Sequence, residues 1–160
     1  MSKHEEAGLI LKLYELRREE VMRKARDWFF LEFNPQSLAD INNTMFSDHS
    51  GHVRMVMTYW DMAAALVNHG AISSDLFNET NGEHFSVFAK FEPLLAEARA
   101  SFGPQFLANL EKLIDATPGG RERTAAIRER MKGIRAEHAA RQAEAGRQSE
   151  AVAASTSSRL

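Results

Sequence analysis

The stretch from His52 to His69 constrains this chain more than any other. Between Val53 and Val67 it is almost wholly apolar, interrupted only by Arg54, Thr58 and Asp61, with Asn68 just beyond. At about 100° per residue these four polar side chains fall on a strip roughly 80° wide. The rest of the circumference belongs to Val, Met, Tyr, Trp, Ala and Leu. A helix lying on a protein surface shows the opposite balance. The spacing therefore predicts a helix wrapped on nearly every side, by other helices or by a second subunit. The run is too short for a membrane span, which needs about 20 apolar residues.

The flanking sequence carries the same helical spacing, and no segment alternates as a strand does. Residues 4–33 read as helix, with Leu9, Leu13 and Leu16 on one face, then Met22, Ala25, Phe29 and Phe33 on another. The stripe shifts near Arg17–Glu20, which predicts a break there. Asn34-Pro35 ends the element, because a residue before proline avoids helical geometry. A short helix over 36–44 and a loop over 45–51 follow. Gly70 is a natural stop for the central helix, and Ser73 or Ser74 a cap for a short helix through Glu79. Residues 83–101 return to helical spacing, kinked or split at Pro93. A further helix is expected over 104–115, then a linker at Thr117-Pro118-Gly119-Gly120.

Residues 121–146 predict a charged helix with a thin stripe of Ile127, Met131, Ile134 and His138. The fold class is all-α: a multi-helix bundle around the central apolar helix (about 52–69), with a long charged C-terminal helix. Residues 1–118 form the bundle core. Residues 119–147 form the charged helix, either packed or projecting, and 148–160 a tail expected to be disordered from its small, polar composition.

Composition narrows the chemistry. There is no cysteine, which excludes disulfides, thiolate catalysis and cysteine-ligated metals. A formal net charge of -2 lacks the basic footprint of a nucleic-acid binder. The last 42 residues carry nine basic groups against five acidic ones, but the signs are interleaved, as on a solvated, ion-paired face. The N-terminal apolar run is short and interrupted by Lys12, unlike a secretory signal. A cytoplasmic location with no nucleic-acid partner and no membrane span is the expectation.

Two groups of residues are candidates for a site. The polar strip is the first: Arg54, Thr58, Asp61 and Asn68, with Trp60 beside Asp61, form a ligand patch if the strip lines a channel in the bundle. An aromatic neighbour desolvates a carboxylate and raises its pKa. The commoner reading of such a strip is the solvent-facing edge of a core helix, and a contact between subunits is a third. The second group is Asp48, His49 and His52, whose spacing suits a metal, with Glu83-His84 as further ligands if the fold brings them near. Asp48 also suits a helix cap. No histidine has an acidic residue three positions before it, which removes a carboxylate-bridged di-iron bundle. No nucleotide-binding or hydrolase motif is present, and no cofactor is expected.

In the segments LYELRREEVMRKARDWFFLEFNPQS and YWDMAAALVNHGAISSDLFNETNGEH the chain resembles an uncharacterised family of small bacterial all-helical domains. The resemblance runs from about Leu13 to Leu113 and is carried by the aromatic-rich segments. It implies a helical bundle and a bacterial source, and it transfers no catalytic residue. Three functions follow as expectations: a non-enzymatic interaction module that self-associates or binds a protein partner; a small-molecule-binding bundle using Arg54 and Asp61; and a metal-dependent enzyme using the histidine pair.

Overall fold

The computed structural model describes residues 2–157. Helix α1 spans Lys3–Arg17 and α2 spans Glu20–Leu31. The break between them falls at Arg18 and Glu19, where the stripe shifts, and the Glu19 carboxylate accepts from the Met22 amide at 3.0 Å to restart the helix. Met22, Ala25, Phe29 and Phe33 are all buried. On α1 only Leu13 is buried, and Leu16 stays exposed.

Helix α3 (Leu38–Met45) starts after Ser37, whose hydroxyl accepts from the Asp40 amide while Asp40 reaches back to the Ser37 amide. The central helix α4 spans Ser50–Asn68 and buries Val53, Val56, Met57, Trp60, Ala63, Ala64 and Val67. Gly70, at φ +76°, ends it in the left-handed conformation. Helix α5 (Ser74–Thr80) takes Ser73 as its cap. Pro93 splits the next region as its ring requires: α6 (Glu83–Phe91) and α7 (Leu95–Phe102) are joined by a 3₁₀ turn over Glu92–Leu94. Between His84 and Phe91 every residue but Ser86 is buried, so α6 is a second wrapped helix beside α4.

Three boundaries differ from expectation. Helix α8 covers Ala108–Ala116, not 104–115, because Leu107 sits left-handed at φ +51° with its side chain buried. A left-handed residue cannot lie within a right-handed helix. The expected linker shortens to Thr117–Gly119, since Gly120 is already the first, buried residue of α9 (Gly120–Ser157). A Cβ there would lie 2.1 Å from the Ile114 carbonyl oxygen, so only glycine lets α9 leave α8 this closely. The tail expected to be disordered from 148 is instead helical through Ser157. Its alanines (Ala151, Ala153, Ala154) are the best helix formers, a propensity that a small, polar composition conceals. Residues 158–160 of that tail lie outside the described residues.

The core is one cluster in which α4 packs on α2 and α8, and α6 packs on α9. The start of α9 is tied down by charge. Arg121 pairs with Glu92 at 3.1 Å, Glu111 at 2.8 Å and Asp115 at 2.6 Å, and Arg128 pairs with Glu92. Beyond Arg135 every described residue of α9 is exposed. The charged helix is therefore both packed, in its first half, and projecting, in its second. No described helix is long and apolar enough to cross a membrane.

Candidate functional site

The polar strip of α4 does not come together as one patch. Arg54 folds back on its own helix, donating to the Ser50 carbonyl at 3.2 Å and the Ser50 hydroxyl at 2.8 Å. The Thr58 hydroxyl donates to the Arg54 carbonyl at 2.7 Å and does not bridge to Asp61. Both residues are exposed. The other half of the strip is a seam with α8. Asp61 accepts from the Leu110 amide at 2.8 Å and from the Asn109 side chain at 3.0 Å, while Asn68 donates to the Asn109 carbonyl at 2.9 Å. Trp60 turns the other way into the core, where its Nε1 donates to Glu83 at 3.1 Å.

That glutamate anchors a polar network of its own. Arg26 binds it in fork geometry, at 2.6 Å and 2.8 Å, the strong arrangement for a half-buried pair. The Tyr59 hydroxyl beside it donates to the Leu13 carbonyl at 2.5 Å, and burial pushes its pKa up to about 12. Glu83 is thus committed to Arg26 and Trp60, away from the histidine pair.

His49 stacks on Trp28, with centroids 4.6 Å apart and rings nearly parallel, and His52 tilts against both rings. Asp48 is exposed and caps nothing: His49 occupies the cap position of α4 without a side-chain bond, and its amide donates to the Ser47 hydroxyl. Among the described residues no group of three His, Cys, Asp or Glu side chains gathers where it could hold a metal.

A site that sequence reasoning missed lies between the α2–α3 link, α6 and the packed half of α9. It is a cleft of about 160 Å³. Its floor is Lys90, only 7% exposed, whose ammonium donates to the carbonyls of Phe29 at 2.8 Å and Phe33 at 2.5 Å and to Asn34 Oδ1 at 3.2 Å. These oxygens stand at the C-terminal end of α2, the negative pole of its dipole. Burial lowers the Lys90 pKa to about 7, and the charge of Arg135 adds to that shift. The three oxygens act in the opposite sense, because only the charged form satisfies all of them.

The wall is α9. Arg135 donates to the same Asn34 Oδ1 at 3.0 Å, Arg128 holds the Ala89 carbonyl at 2.9 Å, and Lys132 lines the cleft while pairing with Glu129 on its own helix. Pro93, Leu94 and Met131 supply apolar surface. No carboxylate lines the cleft. The one advance signal was Lys90 itself, a single cation on the inward face of an otherwise aromatic helix, HFSVFAKF.

The fold and this cleft define an all-α bundle that carries a long C-terminal helix and a cationic hollow beneath it. The chain belongs to the family described as a domain of unknown function, DUF4760, which matches residues 4–117. The match stops just before α9, so Lys90 comes from the family domain and Arg128, Lys132 and Arg135 from the helix beyond it. Neither a curated protein nor a solved structure matches the chain.

Proposed function

We propose that this protein is a non-enzymatic helical module that self-associates through the projecting half of α9. The observation that carries this reading is the helix itself. Residues 136–157 extend beyond the packed part of α9 and are all exposed, a reach of about 33 Å at 1.5 Å per residue. Most helical stability in proteins comes from packing one face against a partner, and a second copy laid alongside supplies that packing. At the same spacing the stripe of Ile127, Met131, Ile134 and His138 runs on through Arg141, Ala145, Gln148 and Val152, so its outer part alternates polar and apolar positions, and Ile134 and Val152 are 59% and 65% exposed. That is the seam a coiled coil uses.

The flanks suit a copy of the same helix better than a nucleic acid. Their cations are paired along the helix, Lys132 with Glu129, Arg141 with Glu137 and Arg147 with Glu144. The reading keeps the cytoplasmic, bacterial setting suggested by the sequence.

Multi-angle light scattering across a dilution series of the full chain tests it. The expected mass is that of a dimer at high concentration, falling toward the monomer on dilution. Replacing Ile134→Glu and Val152→Glu together shifts that fall to higher concentration. A strictly monomeric protein over the whole range overturns the reading.

A further inference from the structure

We propose that the cleft between the α2–α3 link, α6 and α9 binds a small organic oxyanion, a carboxylate or phosphate ester carrying an apolar group about the size of one ring. The proposal stands apart from self-association, because the cleft lies in the packed half of α9.

The charges of the cleft are unbalanced. Four cations line it, and the carboxylates paired with two of them are outside its lining: Glu92, shared by Arg121 and Arg128, and Glu129, held by Lys132. Lys90 and Arg135 are left with neutral oxygens only. Both donate to Asn34 Oδ1, at 3.2 Å and 3.0 Å, which holds the two charges within about 6 Å of each other. Like charges that close oppose one another, and an anion between them relieves the repulsion.

Donors remain to bind it. Asn34 is the one hydrogen-bond acceptor of Arg135 among the described residues, so the rest of its guanidinium fork is available. Lys132 is held only by an exposed pair with Glu129, which an entering anion displaces at small cost. A guanidinium fork matches the two oxygens of a carboxylate or phosphate.

Size and lining set the rest of the ligand. A cavity of about 150 Å³ admits benzene, and this one measures about 160 Å³. Pro93, Leu94 and Met131 form an apolar wall beside the cations. A bare inorganic anion leaves that wall wet, whereas an aryl or short alkyl group covers it.

Calorimetric titration of the full chain at low salt tests the assignment. The probes are benzoate and phenyl phosphate, with inorganic phosphate and benzyl alcohol as controls. The expected result is saturable one-to-one binding of at least one organic anion, about tenfold tighter than inorganic phosphate, with none for benzyl alcohol. Arg135→Gln is expected to weaken binding about tenfold and Lys132→Gln a few-fold, both with the wild-type melting temperature. Should Arg135→Gln lose its fold, the exposed Lys132→Gln carries the test alone. Absence of saturable binding, affinity unchanged in the folded variants, or inorganic phosphate or benzyl alcohol binding as well as the organic anions overturns the proposal.

Discussion

His84 is fully buried among rings, with Phe85, Phe77 and Trp60 at centroid distances of 4.3, 5.0 and 5.8 Å. Its Nε2 meets Asn78 Oδ1 at 3.1 Å, and its Nδ1 is buried without a partner. Burial drives its pKa down to about 3, assisted by the charge of Arg123. In the unfolded chain the same imidazole takes its proton near 6.5. Between those values the unfolded state binds the extra proton, so stability is full above about pH 6.5 and falls as pH drops. At pH 4.5 the loss from this residue is about 2–3 kcal/mol. Urea unfolding at pH 7 and pH 4.5 checks it: His84→Leu is expected to lose markedly less stability than wild type between the two. In the sequence that residue stands out only as a candidate further metal ligand beside Glu83, because its burial depends on α5 and α6 folding over α4. Trp60 and Asp61 show the opposite failure. Adjacency in sequence suggested a shared environment, but neighbours on a helix point about 100° apart. Trp60 enters the core and Asp61 meets α8.

At the scale of elements, that contact explains how α8 begins. Its cap position is Leu107, left-handed and with no side chain able to accept from the first amides. Asp61 does this from α4 instead, taking the Leu110 amide on one oxygen and the Asn109 side chain on the other. A carboxylate at a helix N-terminus also meets the positive pole of the dipole. Asp61→Ala is expected to destabilise the protein by about 1–2 kcal/mol, and Asp61→Asn by less, since an amide oxygen still accepts from Leu110. Denaturant midpoints of the two variants check the order. An equal loss in both would show that charge, and not the acceptor, matters. The apolar wrap of α4 was legible because hydrophobic periodicity is a local signal. The partners that take Asp61 and Asn68 at its edge were not, because Asn109 and Leu110 lie more than 40 residues downstream.

The whole molecule divides at Arg135. Before it, α9 is clamped to the bundle through Arg121 and Arg128 and closes the cationic cleft. After it, every described residue of the helix is exposed. A chain ending at Arg135 is therefore expected to keep the denaturant midpoint of the full chain while sedimenting as a monomer at concentrations where the full chain pairs. A large fall in the midpoint would mean that the outer half supports the fold after all. The sequence alone determined the helical class, the break before α2, the split at Pro93 and the wrapped helix α4. Periodicity, proline geometry and glycine stops act over a few residues and need no tertiary partner. Only the tertiary structure decided which polar groups are structural and which are available. Asp61 and Glu83 were spent on α8 and Arg26. Lys90 of α6 and Arg135 of α9, 45 positions apart, were set on one oxygen of Asn34. Electrostatic environment depends on distance through space, and that distance exists only once the helices have packed.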